Sequence, residues 1–151
     1  MKKIVIVAMM AFFGTTLFAA PPDVSEKVLK IFKETFTNAK DVKWQELESS
    51  YSVSFSQDGI QSKVVYDLDG NLVSSLRYYS PDHLPVNVFS RLKKKYDART
   101  FFGVTESSTD REVIYYVKMY DAKFWYTMKI DGNGSIEQYE KMKRADVGQL
   151  K

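Results

Sequence analysis

Between Tyr51 and Ser56 the chain alternates apolar and polar side chains, and an Asp58-Gly59 dipeptide follows. No other feature restricts the fold as tightly. Tyr51, Val53 and Phe55 alternate with Ser52, Ser54 and Ser56, the pattern of a strand with one buried and one wet face. Asp-Gly is the dipeptide of a two-residue hairpin, because both central residues of that turn take positive φ. Such a turn pairs Phe55 with Ser62, Val53 with Val64 and Tyr51 with Tyr66. Tyr51, Val53, Phe55, Val64 and Tyr66 then share one face. A slip of one residue would drive the serines into the core, so turn and pattern fix the register together. The chain must therefore build an antiparallel sheet and find something to cover one side of it.

The cover comes from two helical stretches. Asp23 to Ala39 carries Val28, Ile31, Phe32, Thr35, Phe36 and Ala39 at three- and four-residue spacing, with Lys27, Lys30, Lys33 and Glu34 opposite. Asp23 and Glu26 fit a capping box. A second helix opens at Pro85, which suits a first turn, and runs to about Tyr96 with a Val88, Phe89, Leu92, Tyr96 stripe. Val42 and Trp44 alternate with Lys43 and Gln45, with Trp44 expected to be buried between the first helix and the sheet, opposite Phe55, and Leu72 to Tyr79 follows an Asp67-Leu68-Asp69-Gly70 turn. Further strands are expected at about 100–106, 112–120, 123–130 and 135–143, with a frayed tail after Arg144.

The order is helix plus four strands, twice, over residues 23–80 and 81–143. Asp67-Leu68-Asp69-Gly70-Asn71-Leu72 matches Asp131-Gly132-Asn133-Gly134-Ser135-Ile136, and Tyr96-Asp97-Ala98 echoes Phe36-Thr37-Asn38-Ala39. The expected fold class is α+β: tandem repeats forming one antiparallel sheet with two helices on one face.

Ahead of the first helix lies a secretory pattern. Lys2 and Lys3 precede an apolar run from Ile4 to Phe18, then Ala19-Ala20 and Pro21-Pro22. The expected signal peptide is 1–19 and the expected domain 20–151. The run is short of the roughly 20 residues that span a bilayer, so no membrane insertion is expected once the signal is removed. Its removal leaves 20 basic against 19 acidic side chains, two lysines fewer than the 22 basic residues of the whole chain. That balance gives no bulk electrostatic case for nucleic acid. There is no cysteine, hence no lipid attachment at a cleavage-site thiol and no disulfide; the expected location is the periplasm or the exterior.

The run Phe36-x-x-Ala39-x-x-Val42-x-Trp44, then Asp67-x-Asp69-Gly70, then Leu84-Pro85 opening the second helix, resembles the PepSY-like, β-lactamase-inhibitor-like family of small exported proteins found mainly in Bacteroidetes. The resemblance covers most of residues 20–151. It implies tandem repeats sharing one antiparallel sheet whose open face grips a protein. The second repeat departs from the pattern: Tyr96 to Ala98 is one residue shorter, and Gly103 stands where Trp is expected.

No catalytic constellation is visible. His83, the only histidine, sits in a Pro81–Pro85 loop without partners in the sequence. The serines of 49–56 lack a Gly-x-Ser-x-Gly elbow. The Asp67 and Asp131 turns lack the further ligands and closing Glu of a calcium loop; local hydrogen bonding explains their composition. Lys93-Lys94-Lys95 reads as the solvated face of a helix. No enzyme activity, metal or cofactor is expected.

The aromatic residues carry the functional expectation. An Asp121-Ala122 turn would set Tyr120 opposite Lys123, Met119 opposite Phe124, Lys118 opposite Trp125 and Tyr116 opposite Thr127. Tyr115, Val117, Met119, Phe124, Tyr126, Met128 and Ile130 then form the core face. Ile114, Tyr116, Lys118, Tyr120, Trp125 and Tyr139 form the other. In the first repeat that outer face is Ser52, Ser54, Ser56, Gln61 and Lys63. The expected function is a non-catalytic exported module binding an envelope or extracellular protein or peptide through Tyr116, Lys118, Tyr120, Trp125 and Tyr139. The alternative is a small-ligand or lipid carrier with a pocket between helices and sheet lined by Met119 and Met128. Oligomeric state is open.

Overall fold

In the computed structural model the chain is described over residues 23–145; the expected signal peptide and cleavage site lie outside these residues. Two helices, α1 (Glu26–Thr35) and α2 (Val86–Lys95), lie on one face of an antiparallel sheet. Its eight strands are β1 (Lys40–Leu47), β2 (Ser50–Gln57), β3 (Ile60–Asp67), β4 (Leu72–Tyr79), β5 (Thr100–Thr109), β6 (Val113–Tyr120), β7 (Phe124–Ile130) and β8 (Ile136–Lys143). They lie side by side in chain order, leaving β1 and β8 as edges. A short 3₁₀ turn at Pro81–His83 precedes α2.

The β2–β3 hairpin has the expected register, with Phe55 across from Ser62, Val53 from Val64 and Tyr51 from Tyr66. Asp58 and Gly59 take φ of 52° and 79°, as the turn requires. α1 is shorter than its stripe suggests. Its cap is Ser25 rather than Asp23, the hydroxyl accepting from the Val28 N–H. α2 begins directly after Pro85.

The two halves repeat in detail. Phe36 and Tyr96 end their helices alike, donating to Phe32 and Leu92, and Ala39 and Arg99 donate back to Phe36 and Tyr96. The helix-to-strand turns are thus the same length, which corrects the one-residue shortening read from the sequence. A bulge follows in both, between Lys40 and Lys43 in β1 and between Phe101 and Gly103 in β5. Trp44 pairs with Val53 and Val104 with Val117. Val104, not Gly103, therefore occupies the position of Trp44. The two turn glycines also correspond: Gly70 (φ 85°) lies under Ile31 of α1, and Gly134 (φ 78°) under the Arg91 guanidinium of α2. Positive φ and the overlying side chain both exclude a Cβ there, which is why the Asp-x-Asp/Asn-Gly turn recurs.

Each helix covers its own core. Under α1 lie Tyr51, Val53, Phe55, Val64 and Tyr66 against Val28 and Phe32. Under α2 lie Val104, Val117, Met119, Tyr126, Met128 and Ile130 against Leu84, Val88 and Leu92. Met119 and Met128 are core side chains with essentially no solvent contact. Trp44 faces α1, its ring centre 5.2 Å from that of Phe32 in an edge-on contact. It is only half-buried, because β1 is an edge strand, and it sits across from Val53 rather than Phe55, in the register that runs unbroken from the Leu47–Ser50 pair at the β1–β2 turn.

The seam between the repeats is polar. On the helix side of β4 and β5, Arg77 pairs with Glu106 at 3.1 Å, and the Tyr79 hydroxyl donates to the same carboxylate at 2.5 Å. Burial, reinforced by that hydrogen bond, pushes the Tyr79 hydroxyl above its ordinary pKa.

The outer face of the sheet as a candidate binding surface

The β6–β7 turn places most of the candidate residues. Tyr120 stands across from Trp125, Met119 from Tyr126, Lys118 from Thr127 and Tyr116 from Lys129. The turn thus takes up four residues, not two. A two-residue turn of that type asks its second central residue for positive φ, which Ala122 accommodates poorly. The longer turn is held by Asp121 instead. Its N–H donates to the Phe124 carbonyl at 3.1 Å. Its carboxylate accepts from the Lys123 and Phe124 amides and the Tyr126 hydroxyl at 2.8, 2.9 and 2.7 Å. These donors hold the Asp121 carboxyl down at about 2, and the same hydrogen bond raises Tyr126. Each residue's partner moves by two from the expected pairing. Side chains alternate with period two, so the faces are unchanged.

Tyr116, Lys118 and Tyr120 of β6, Trp125 of β7 and Tyr139 of β8 all lie on the face away from the helices. The Trp125 ring sits 4.8 Å from Tyr120, and Tyr116 sits 5.3 Å from Tyr139. The Lys118 ammonium lies 5.3 Å from the Trp125 ring centre; it reaches diagonally, since its direct partner is Thr127. The Arg144 guanidinium covers Tyr120 at 4.6 Å. Tyr139 is 64% exposed, because a bulge at the Thr127/Met128 step of the β7–β8 pairing turns it outward.

Two further residues belong to this surface and were missed in the sequence. Phe102 is the extra residue of the β5 bulge, 63% exposed, edge-on to Trp125 at 5.1 Å. Met142 stands across from Trp125 on β8. Strict alternation counted back from Val104, which faces the core, puts Phe102 on the core side and so hides it; only the repeat of the β1 bulge could have pointed to it.

The first half of the face is different. Ser52, Ser54, Ser56, Gln61 and Lys63 line it, relieved by Val65, Leu76 and Tyr78. Among the described residues no group of three or more His, Asp or Glu side chains could hold a metal ion. His83 lies edge-on to Tyr79, its ring centre 6.2 Å away, and 3.9 Å from the Asp82 carboxylate.

No protein-family model matches the chain, and no curated protein matches it by sequence. Solved structures do. A BLIP-like protein of Bacteroides fragilis superposes with a TM-score of 0.58 at 18% identity, over 83% of this chain and 89% of that one. A DUF2874 family protein of Bacteroides uniformis gives 0.54 at 21%, over 79% and 88%. A candidate periplasmic protein of Bacteroides eggerthii gives 0.55 at 15%, over 83% and 93%. The chain thus has the fold of the Bacteroides DUF2874 and BLIP-like proteins, as the resemblance in its motifs implied.

Proposed function

We propose that the chain is an exported, non-catalytic binding module that engages an envelope or extracellular protein, or an extended peptide, through the aromatic half of the outer face. One observation carries this reading. Tyr116 with Tyr139, and Trp125 with Tyr120, Phe102 and Met142, gather aromatic and apolar side chains on the half of the face that lies away from the serine-, glutamine- and lysine-rich first repeat. A sheet with one wet side needs no such surface for folding, and Tyr and Trp bury large areas on a partner at low entropic cost. The fold likeness to a BLIP-like protein and to a candidate periplasmic protein agrees with this reading and with an exported location.

The test is capture from envelope extract by the immobilised protein and by a Tyr116→Ser/Trp125→Ser variant of verified fold. A partner retained by the first and lost by the second supports the reading, once purified partner binds with the same dependence. Equal capture by both overturns it. Adding the protein to a β-lactamase assay tests the inhibitor form of the resemblance separately.

A further inference from the structure

The two repeats part company where the end of each helix meets the turn before its last strand. In the second repeat Arg91, Lys94 and Lys95 of α2, with Gly134, Ser135 and Ile136 at the β7–β8 turn, line an open cleft of about 490 Å³. Phe36 and Tyr96 end their helices alike, and Gly70 matches Gly134. Arg91, Lys94 and Lys95 therefore stand where the first repeat has Ile31, Glu34 and Thr35. Ser135 and Ile136 stand where it has Asn71 and Leu72. Folding does not demand these cations, because the first repeat forms the same helix, turn and strand without them. Nor does the helix end demand them. A cation is favoured at a helix C-terminus, but Lys33 and Lys93 supply one in both repeats.

The cleft is also arranged to keep its charge uncompensated. The Arg91 guanidinium lies over Gly134, in the space a Cβ would take, as Ile31 lies over Gly70. Among the described residues Arg91, Lys94 and Lys95 make no ion pair. Asp131, the acid of the adjoining turn, does not line the cleft. Its Oδ1 accepts from the Asn133 and Ser135 amides at 3.0 and 2.9 Å. In the first repeat the Asn71 side chain also donates to the Asp67 carboxylate, at 2.8 Å. Ser135 makes no such bond to Asp131, so its hydroxyl remains a donor at the cleft.

We propose that this cleft binds a phosphate monoester. Arg91 offers a planar fork of N–H donors that matches two oxygens of one phosphoryl group. Lys94 and Lys95 supply mobile point charges beside it, and the Ser135 hydroxyl a neutral donor. Three cations without a carboxylate among them suit a dianion better than the single charge of a carboxylate ligand. The cleft falls within the roughly 300–1,000 Å³ of small-molecule sites, more than a bare ion fills. Ile136 gives the organic part of an ester an apolar wall. The cleft lies on the helix side and shares no residue with the aromatic outer face, so this inference is independent of protein recognition there.

NMR titration of the isotope-labelled protein tests it, with glycerol 3-phosphate, inorganic phosphate and acetate at one ionic strength. The Gly134 and Ser135 amides should shift with glycerol 3-phosphate while their counterparts Gly70 and Asn71 stay in place. The ester should bind several-fold more tightly than inorganic phosphate and at least about tenfold more tightly than acetate. Arg91→Ile installs the residue of the first repeat, so it should keep the fold, checked by circular dichroism, and weaken binding at least about tenfold. Arg91→Lys keeps the charge without the fork and should weaken it several-fold. Lys94→Glu/Lys95→Thr, the first-repeat pair, should abolish it. Sedimentation with phosphatidylcholine vesicles containing roughly one-third phosphatidic acid separates the two sources of such a group. Sedimentation lost in Arg91→Ile supports the site with a lipid headgroup as its ligand. Binding of glycerol 3-phosphate without sedimentation supports it with a soluble ester. Equal shifts at the Gly70 turn, acetate binding as tightly as the ester, indifference to Arg91→Ile, or no shift up to about 20 mM ester overturns the proposal. Inorganic phosphate matching glycerol 3-phosphate overturns it in favour of the free ion.

Discussion

Arg77 of β4 and Glu106 of β5, 29 residues apart, meet at 3.1 Å on the seam that joins the two repeats. The Glu106 side chain is 12% exposed and the Arg77 side chain 40%, so the carboxylate is the desolvated partner. It serves two donors, since the Tyr79 hydroxyl also bonds to it. The two apolar cores lie on either side. The pair thus sits where neither helix supplies apolar cover, and it fixes β4 against β5 by charge and hydrogen bonding.

Glu106→Ala leaves the Tyr79 hydroxyl without its acceptor and Arg77 without its partner. It should cost about 1–3 kcal/mol, read from urea unfolding. Arg77→Ala should cost less, because Arg77 keeps much of its hydration in the native state. Equal losses would mean the seam is held by packing alone.

Asp121 gives a prediction in pH. Its folded pKa of about 2 lies below the ordinary 3.8, so the ionised carboxylate is favoured by folding. That contribution is complete above the unfolded pKa and is lost as pH falls through the folded one. The stability gap between the protein and Asp121→Asn should be constant above roughly pH 5 and narrow towards pH 2. Thermal melts across that range would show it; a gap that widens in acid contradicts the turn geometry.

Trp44 gives a prediction in packing. It faces Phe32 and Tyr66 on the core side, at 5.2 and 6.4 Å between ring centres, yet it is only partly buried at the sheet edge. Trp44→Ala should cost about 3 kcal/mol, the low end for large aromatic truncations. Its counterpart Val104 is buried between β4 and β6, and Val104→Ala should match that loss despite removing far fewer atoms. Denaturant midpoints at constant slope would compare them.

How far the sequence reaches is visible in these same residues. The β2–β3 register was legible because a turn with strict φ demands and an alternating pattern agree on it. The faces of β6 and β7 were legible from alternation alone, which survives a two-residue change in turn length. The turn was not, because Asp121 closes it with side-chain bonds that no apolar pattern records. Phe102 was hidden by a bulge, and Trp44 was assigned to the right face but to the wrong depth, since alternation does not say which strand lies at an edge. The Arg77–Glu106 pair was hidden because its partners are brought together only by the β4–β5 pairing, across the whole of α2. On the outer face, the placement of Tyr116, Lys118, Tyr120, Trp125 and Tyr139 was legible, whereas Phe102, Met142 and the Arg144 guanidinium over Tyr120 were not.

The outer face gives the last prediction, and it separates recognition from folding. If the rings serve a partner, removing them should cost little stability, because only their cross-strand contacts are lost. Tyr139→Ser, at a side chain 64% exposed, should change stability by under about 0.5 kcal/mol. Trp125→Ser should cost about 1 kcal/mol, the worth of its contacts with Tyr120 and Phe102. On the opposite face of the same strands, Met119→Ala and Met128→Ala should each cost about 2–5 kcal/mol, since both are fully enclosed. Alternate residues of one hairpin would then differ several-fold in their effect on folding. Partner binding should run the other way: lost in Trp125→Ser and Tyr116→Ser, and intact in whatever fraction of Met128→Ala still folds. A Trp125→Ser loss as large as that of Met128→Ala would make the aromatic face a second core, built to be covered permanently rather than to recognise and release.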